Sequence, residues 1–170
     1  EQPDEWFKLI DILKMNDKEA SWAAGRLLNE FHDYLQFAVE VVGKGVNTVW
    51  ITFGDQSSLV VWRRDNRKLW ATVPVMNTGD VVDTIGCGDT ASAGFAYAYE
   101  RLHGSLFAVV MGNLMGSMKA STCEVSDFPT RPKVQDLIYQ HYREYLHGLL
   151  DELLSRQHVI VNEIKEENTN

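Results

Sequence analysis

Residues 81–95 of the chain read VVDTIGCGDTASAGF, and this stretch decides the fold. An apolar pair leads into an Asp-Thr step, a Gly-x-Gly turn, an acid and a run of small residues, which is typical of a strand end, a tight loop and a new helix. Glycines let backbone N–H groups converge, and the helix start attracts an anion through its dipole. Asp89 would stand beside that anion, where proton abstraction is the role that explains an acid.

This stretch resembles the second signature of the ribokinase-like PfkB family of carbohydrate kinases, Asp-Thr-x-Gly-Ala-Gly-Asp. The resemblance implies that the amides of Gly86, Cys87 and Gly88 hold the charge of the transferred phosphoryl group. It also implies that Asp89 is the base that deprotonates the acceptor hydroxyl. The sequence departs from the pattern at Cys87, usually Ala, and at residues 90–91, usually Ala-Phe. Neither departure removes a glycine or an acid.

Three further elements occur in the order in which the family has them. Asn16 and Glu19 form a helix-capping pattern after a short apolar strand, and the resemblance implies that they organise the phosphates and the waters around Mg²⁺. Thr52 and Gly54 end a strand rich in β-branched residues, where the resemblance implies nucleotide contacts and an ordinary turn is the alternative. Asn113 lies in an apolar helix, either as a hydrogen-bonded core residue or, as the resemblance implies, beside the adenine.

The cofactors that the resemblance implies are ATP, Mg²⁺ and, in many members of the family, K⁺. The K⁺ site would use the backbone carbonyls of Asp83 and Ile85 together with the loop at residues 121–127. That loop departs from the family pattern, so the sequence assigns no K⁺ ligand within it. The five histidines show no metal-ligand spacing with cysteines or carboxylates.

Composition and charge exclude several classes of protein. The chain has 170 residues and a net charge of −8, which argues against nucleic-acid binding because that requires a basic surface. Cys87 and Cys123 make no disulfide framework, which is typical of a reducing compartment, so we expect a cytoplasmic protein. The most apolar window, residues 106–118, is shorter than the roughly 20 residues that cross a bilayer, and the first residues lack the basic start of a signal peptide. We therefore expect no membrane partner.

The order of strand and helix patterns predicts an α/β protein. The resemblance implies the C-terminal half of a ribokinase-like, three-layer α/β/α sheet over residues 1–155, and the sequence predicts a polar C-terminal tail over residues 156–170 that begins with a strand-like fragment. We expect a helix at residues 17–28, a hairpin between strands at 59–62 and 68–73, a helix from 89 or 90 to 102, and another, capped by Ser105, from 106 to 120.

Two other interpretations of the loop are weaker. Residues 86–91 also fit a Gly-x-Gly-x-x-Ala dinucleotide fingerprint, but that fingerprint needs a following strand with an acid about 20 residues on, and here one helical pattern follows another. Cys87 at a helix start could carry a lowered pKa, but a small residue that fills a tight loop is the simpler interpretation.

The sequence therefore predicts an ATP-dependent phosphotransferase that acts on a hydroxyl of a sugar or nucleoside-like small molecule. The alternative is a non-catalytic nucleotide-binding or interaction module derived from such a kinase, because nothing in the chain resembles the family's N-terminal, substrate-contacting half. A half sheet has an unpaired strand edge. An N-terminal half, or a second copy of the chain in a homo-oligomer, would cover that edge.

Overall fold

The computed structural model describes residues 4–76, 79–102, 104–124, 126–142, 146–156 and 158–165. They belong to two compact units, which are described one at a time. The first unit comprises Glu1–Thr72 and Val161–Asn170, and the second comprises Val73–Ile160.

The first unit is built on a mixed five-stranded sheet in the order β1-β2-β3-β4-β5. Its strands are β1 (Ile12–Asn16), β2 (Thr48–Thr52), β3 (Ser57–Arg64), β4 (Arg67–Pro74) and β5 (Asn162–Glu163). β1 and β2 are parallel, β2 and β3 are antiparallel, and β5 pairs antiparallel to β4. The parallel pair places the carboxyl ends of β1 and β2 at the same edge of the sheet, which is where open α/β sheets bind ligands.

The predicted hairpin is present between β3 and β4. Its two connecting residues, Asp65 and Asn66, have φ angles of 49° and 61°. Positive φ at both central positions is the feature of a type I′ turn, whose twist matches that of the strands, and Asp and Asn tolerate it better than most residues. Pro74 ends β4 as predicted, because proline has no N–H for a sheet hydrogen bond.

The described residues of the first unit also form two α-helices, α1 (Asp17–Ala24) and α2 (Phe31–Gly43), which connect β1 to β2. A 3₁₀ helix at Asp4–Leu9 precedes β1. The apolar face of α2 packs on one face of the sheet in a cluster that includes Ala38, Val41, Val42, Val49, Ile51, Leu59 and Val61. Val49 and Ile51 share this face because side chains alternate along a strand. Burying each Val, Ile or Leu of this kind stabilises the fold by about 1.5–3 kcal/mol.

The second unit contains four helices among its described residues: α3 (Cys87–Leu102), α4 (Ser105–Ala120), α5 (Arg131–Tyr142) and α6 (Leu146–Ser155). The α/β class that the sequence predicted is confirmed. Within the described ranges, no helix combines the length and the apolar character needed to cross a membrane.

Three predicted helix ends were wrong by a few residues. α1 ends at Ala24, not near Leu28, because Gly25 adopts a left-handed φ of +65° and its N–H caps the Trp22 carbonyl. α3 begins at Cys87, so part of the Gly-x-Gly turn is already helical. The N-cap of α4 is Gly104, not Ser105. The strand-like fragment predicted within residues 156–170 is present as β5, and residues 166–170 lie outside the described residues.

Candidate functional site

The predicted site residues divide between the two units. Asn16, Glu19, Thr52 and Gly54 lie in the first unit, and Asp83, Ile85, Gly86, Cys87, Gly88, Asp89 and Asn113 lie in the second. Within each unit the fold brings most of these residues to one place.

The segment before α3 folds back on itself as a tight loop. The Asp83 carboxylate accepts a hydrogen bond from the Ile85 N–H (3.0 Å), and the Thr84 carbonyl accepts one from the Cys87 N–H (3.3 Å). Gly86 has a φ of +76°, a left-handed conformation that a residue with a Cβ adopts only under strain. The predicted Gly-x-Gly turn is therefore present, and its backbone requires glycine at the first position.

The first turn of α3 grows directly out of this loop. The Gly86 carbonyl accepts hydrogen bonds from the backbone N–H and the hydroxyl of Thr90 (2.9 and 2.8 Å), and the Ser92 hydroxyl donates to the Gly88 carbonyl (2.9 Å). Asp89 lies in this first turn and is exposed. An accessible carboxylate thus stands at the positive end of the helix dipole, and its role as a base stays a prediction.

Cys87 fills space in the loop. Its Sγ lies 3.6 Å from the Asp83 carbonyl oxygen, to which the thiol donates. Burial raises the pKa of the Cys87 thiol, the charge of Lys119 opposes that rise, and the charge of Asp83 adds to it. The pKa of Cys87 is raised overall, whereas a reactive cysteine at a helix start has a lowered pKa. The structure therefore favours the interpretation of Cys87 as a small residue that fills a tight loop.

Helix α4 supports the loop from one side. The Ala120 carbonyl accepts hydrogen bonds from the N–H groups of Val82 (2.8 Å) and Asp83 (3.2 Å), which fixes the segment that enters the loop. A Cβ added at Gly116 would lie 3.3 Å from the Cys87 carbonyl oxygen. The backbones of α3 and α4 therefore approach each other closely beneath the start of α3.

Asn113 is buried in α4, with 9% of its surface exposed. Its Nδ2 donates hydrogen bonds to the carbonyls of Val73 (3.2 Å) and Pro74 (3.1 Å) at the end of β4. Of the two interpretations that the sequence left open, the hydrogen-bonded core residue is therefore observed. A contact with adenine stays a prediction, and the side-chain oxygen is the atom that would have to make it.

In the first unit, Asn16 and Glu19 form a reciprocal capping box. The Glu19 N–H donates to Asn16 Oδ1, and the Asn16 N–H donates to Glu19 Oε2, both at 2.8 Å. Thr52 is the register partner of Asn16 on β2, and its hydroxyl makes a long 3.5 Å contact with the Met15 carbonyl. Gly54 follows with a φ of +63° in the turn that leads to β3. These residues therefore gather at the carboxyl ends of two parallel strands.

The donor set of this unit fits Mg²⁺ that is held through water. Among the described residues, no group of three or more His, Cys, Asp or Glu side chains could hold a metal ion directly. Mg²⁺ keeps several waters and commonly binds through one or two carboxylates together with substrate phosphates. Glu19 uses Oε2 in the capping box, which leaves its second carboxylate oxygen to accept from such a water.

Sequence reasoning missed Lys119, which lies in the last turn of α4. Its side chain is fully buried, and its ammonium group donates hydrogen bonds to the Thr122 hydroxyl (3.1 Å) and the Glu124 carbonyl (2.8 Å). In the sequence it has the pattern of an ordinary positive charge at a helix C-terminus. Its burial arises from the fold around it and leaves no signal in the sequence.

Known proteins similar to this chain are kinases of small molecules. A 1-phosphofructokinase of Vibrio cholerae is 35% identical over 88 residues, which is 52% of this chain and 26% of that protein. A nucleoside kinase of Methanocaldococcus jannaschii is 28% identical over 133 residues, which is 77% of this chain and 40% of that protein.

The fold has solved counterparts of the ribokinase type. The structure of Arabidopsis thaliana ribokinase complexed with ribose and ATP superposes with a TM-score of 0.69 and 25% identity, over 80% of this chain and 43% of that one. The ribokinase-like fold that the sequence predicted is therefore confirmed, for a chain that spans less than half the length of these relatives.

The family itself is identified by its sequence profile. The profile of the pfkB family carbohydrate kinases matches residues 1–131, which is well over half of the 170 residues. The match includes the loop that precedes α3 and both strands that carry the predicted phosphate contacts. The chain therefore belongs to the pfkB family of carbohydrate kinases.

Proposed function

We propose that the protein is an ATP-dependent kinase that phosphorylates a hydroxyl group of a sugar or a nucleoside-like small molecule. The observation that carries this proposal is the loop at residues 83–89, in which a glycine turn leads into a helix whose first turn bears an exposed carboxylate. Family membership supports the same reaction class. The named relatives that act on phosphofructose, nucleosides and ribose support the substrate class.

In this proposal Asp89 is the general base. Its carboxylate takes the proton from the acceptor hydroxyl while that oxygen forms a bond to phosphorus and the bond to the departing nucleotide diphosphate breaks. The exposed position of Asp89 supports the role, because a base must reach the hydroxyl within hydrogen-bond distance. ATP supplies the phosphoryl group, and the protein supplies position and charge.

The backbone amides of Gly86, Cys87 and Gly88 would hold the negative charge on the transferred group. The Cys87 N–H donates to the Thr84 carbonyl at 3.3 Å, which is longer than the usual range for an N–H···O hydrogen bond. Exchanging that weak bond for a charged acceptor is favourable, since hydrogen bonds to ionised groups are about twice as strong.

The first unit would contribute the nucleotide contacts. Asn16 uses its side-chain oxygen in the capping box, so its NH₂ group is the donor for a phosphate. Glu19 would hold a water of Mg²⁺ through the carboxylate oxygen outside the box. Thr52, the last residue of β2, and Gly54, in the turn after it, would contact the phosphates through the Thr52 hydroxyl and the turn backbone.

The test is the substitution Asp89→Asn in the full-length protein. We expect kcat to fall by a factor of about 10²–10⁴, which is the usual contribution of general base catalysis, while the affinity for ATP changes little. Glu100→Gln is the matched control, because Glu100 is an exposed acid on the same helix. Turnover of Asp89→Asn within a factor of a few of the wild type would refute the assignment of the base.

A second candidate is a nucleotide-binding or interaction module without chemistry. It is favoured by the fact that the chain spans 26% and 40% of the length of the two kinases compared above, and by the position of β1 at one end of the strand order, where a further strand from an N-terminal half or a second copy would pair. Calorimetry with ATP and Mg²⁺, run beside a phosphotransfer assay on a panel of sugars and nucleosides, separates the two. Binding with turnover supports the kinase, and binding without turnover supports the module.

We also propose a cytoplasmic location. Its support is that the described cysteines, Cys87 and Cys123, are both free thiols, which is the common state of cysteine in a reducing compartment. Fractionation of cells that express the full-length protein tests this proposal.

A further inference from the structure

Lys119 is a buried lysine whose hydrogen-bond acceptors are neutral. None of its side chain is exposed, and its ammonium donates to the Thr122 hydroxyl (3.1 Å) and the Glu124 carbonyl (2.8 Å). The Thr122 hydroxyl in turn donates to the Lys119 carbonyl (2.9 Å), so its oxygen is oriented to accept from the ammonium. Across the part of the chain that the structure describes, no carboxylate forms an ion pair with Lys119.

This arrangement is unusual for a lysine. Lysine is almost never fully buried unless it is paired, and an uncompensated charge in the interior is strongly unfavourable. The helix dipole at the end of α4 stabilises a positive charge by at most about 2 kcal/mol, which is less than the cost of burying an uncompensated charge. No carboxylate among the described residues pairs with the Lys119 ammonium, so its burial is explained by a counter-charge that binds beside it.

The position of Lys119 indicates where that counter-charge binds. Its Cε lies 3.8 Å from the point where a Cβ on Gly86 would be, and its charge acts on the thiol of Cys87. The next residue, Ala120, accepts hydrogen bonds from Val82 and Asp83, the residues that enter the loop. The ammonium is therefore held beneath the loop that we propose binds phosphate.

We propose that the Lys119 ammonium is a built-in monovalent cation for this loop, and that it replaces K⁺ in this protein. It supplies a fixed positive charge to the bound phosphate and ties residues 121–124 to the end of α4. Lys119 is thus a positioning residue for the loop. The proposal rests on the proposed function in one respect, namely that the loop binds phosphate.

The residues present do not fit a dissolved K⁺ at this place. Such an ion would need hydroxyl and carbonyl oxygens from the loop at residues 121–127, but the Thr122 hydroxyl and the Glu124 carbonyl already accept hydrogen bonds from the ammonium. A second positive charge beside a buried ammonium would be repelled with little screening. Lys119 therefore supplies the positive charge that the resemblance assigns to K⁺.

The decisive variant is Lys119→Met in the full-length protein, which keeps the length of the side chain and removes its charge. Lys119→Gln, which keeps a donor, is the second variant if the first does not fold. Lys133→Met is the matched control, because Lys133 is a lysine of the same unit whose side chain is half exposed in an ion pair with Asp127. Each protein is measured in KCl and in tetramethylammonium chloride at equal ionic strength.

The first readout is the affinity, measured by calorimetry, for Mg²⁺ together with a non-hydrolysable ATP analogue, which carries the γ-phosphate that the loop is proposed to bind. We expect the wild type and Lys133→Met to bind equally well in the two salts, within about a factor of two. We expect Lys119→Met to bind about tenfold or more weakly in tetramethylammonium and to recover part of that loss in KCl, because K⁺ then has access to the oxygens of Thr122 and Glu124. Wild-type binding that requires K⁺, or unchanged binding by Lys119→Met, would overturn the proposal.

The second readout does not depend on nucleotide binding, so that it separates a failure of this inference from a failure of the proposed function. It is the change in Tm between the two salts. If K⁺ raises the Tm of Lys119→Met and leaves that of the wild type unchanged, Lys119 occupies a cation site whether or not the nucleotide analogue binds. If K⁺ raises the Tm of the wild type, or of neither protein, the inference is wrong.

Discussion

The contact between α3 and α4 gives the sharpest structural prediction. A Cβ added at Gly94 would lie 2.7 Å from Met115 Sδ and 3.0 Å from the Met111 carbonyl oxygen. Both distances are well inside the optimal separation of about 3.5–4.0 Å for non-bonded heavy atoms. The Met115 side chain can change rotamer, but the Met111 carbonyl is helix backbone and cannot, so Gly94→Ala must push the two helices apart.

The magnitude follows from two opposing effects of Gly94→Ala. Overpacking a tight contact destabilises a protein by about 1–3 kcal/mol, whereas alanine in place of glycine inside a helix is favourable by about 1 kcal/mol. Because the clash involves backbone, we expect a net loss of about 1–2 kcal/mol in the free energy of unfolding. In urea, with an m value of about 2 kcal/mol per M, the midpoint should fall by roughly 0.5–1 M.

Two companion variants make this measurement decisive. Gly43→Ala, at the end of α2, adds a Cβ that meets nothing within 4 Å, so its urea midpoint should stay the same or rise. Gly94→Ala in a Met115→Ala background removes the sulfur contact and keeps the carbonyl contact, so most of the loss should persist. A midpoint of Gly94→Ala equal to or above that of the wild type would refute the argument from backbone packing.

Two further predictions concern polar contacts. Asn113→Leu leaves the Val73 and Pro74 carbonyls without their donor and should destabilise the fold by about 1–3 kcal/mol in urea unfolding; a loss below about 0.5 kcal/mol would contradict this. The pKa of Asp33 is lowered, chiefly by backbone hydrogen bonds from Asn29 and Glu30, so its carboxylate stabilises the fold above the unfolded pKa of about 3.9 and this contribution disappears as the pH falls through the folded value. Asp33→Asn should therefore lower Tm at pH 7 and change it little near pH 2, and an equal loss at both values would contradict this.

The sequence predicted the elements of the fold better than their ends. Strand composition and the charged segment at residues 63–67 located the hairpin, and the Gly-x-Gly segment located the start of α3 to within three residues. The end of α1 was misplaced because residues 25–28 continue an apolar pattern, while the left-handed Gly25 ends the helix. Whether an isolated glycine continues or ends a helix depends on tertiary packing, which periodicity alone does not contain.

Site residues whose conformation depends on near neighbours in the chain could be predicted from the sequence. The burial of a site residue could not be predicted in this way. The loop conformation at Gly86 and the capping box of Asn16 and Glu19 use residues that are near neighbours in the chain, so short patterns identify them. Lys119 depends on Thr122, Glu124 and a loop more than thirty residues earlier in the chain. No local pattern distinguishes a buried lysine at a helix end from an exposed one.

The proposed nucleotide contacts differ in how much hydrogen-bonding capacity their side chains have left. A carboxylate has about four acceptor sites, so the one hydrogen bond that Glu19 Oε2 accepts from the Asn16 N–H leaves ample capacity for a water of Mg²⁺. The NH₂ group of Asn113 has two donors, and both have backbone acceptors. Asn113 therefore cannot donate to a base without breaking a buried hydrogen bond, and such a break costs about 1–3 kcal/mol. Of the proposed nucleotide contacts, the one through Glu19 is consequently compatible with the observed hydrogen bonds, whereas donation from Asn113 is not.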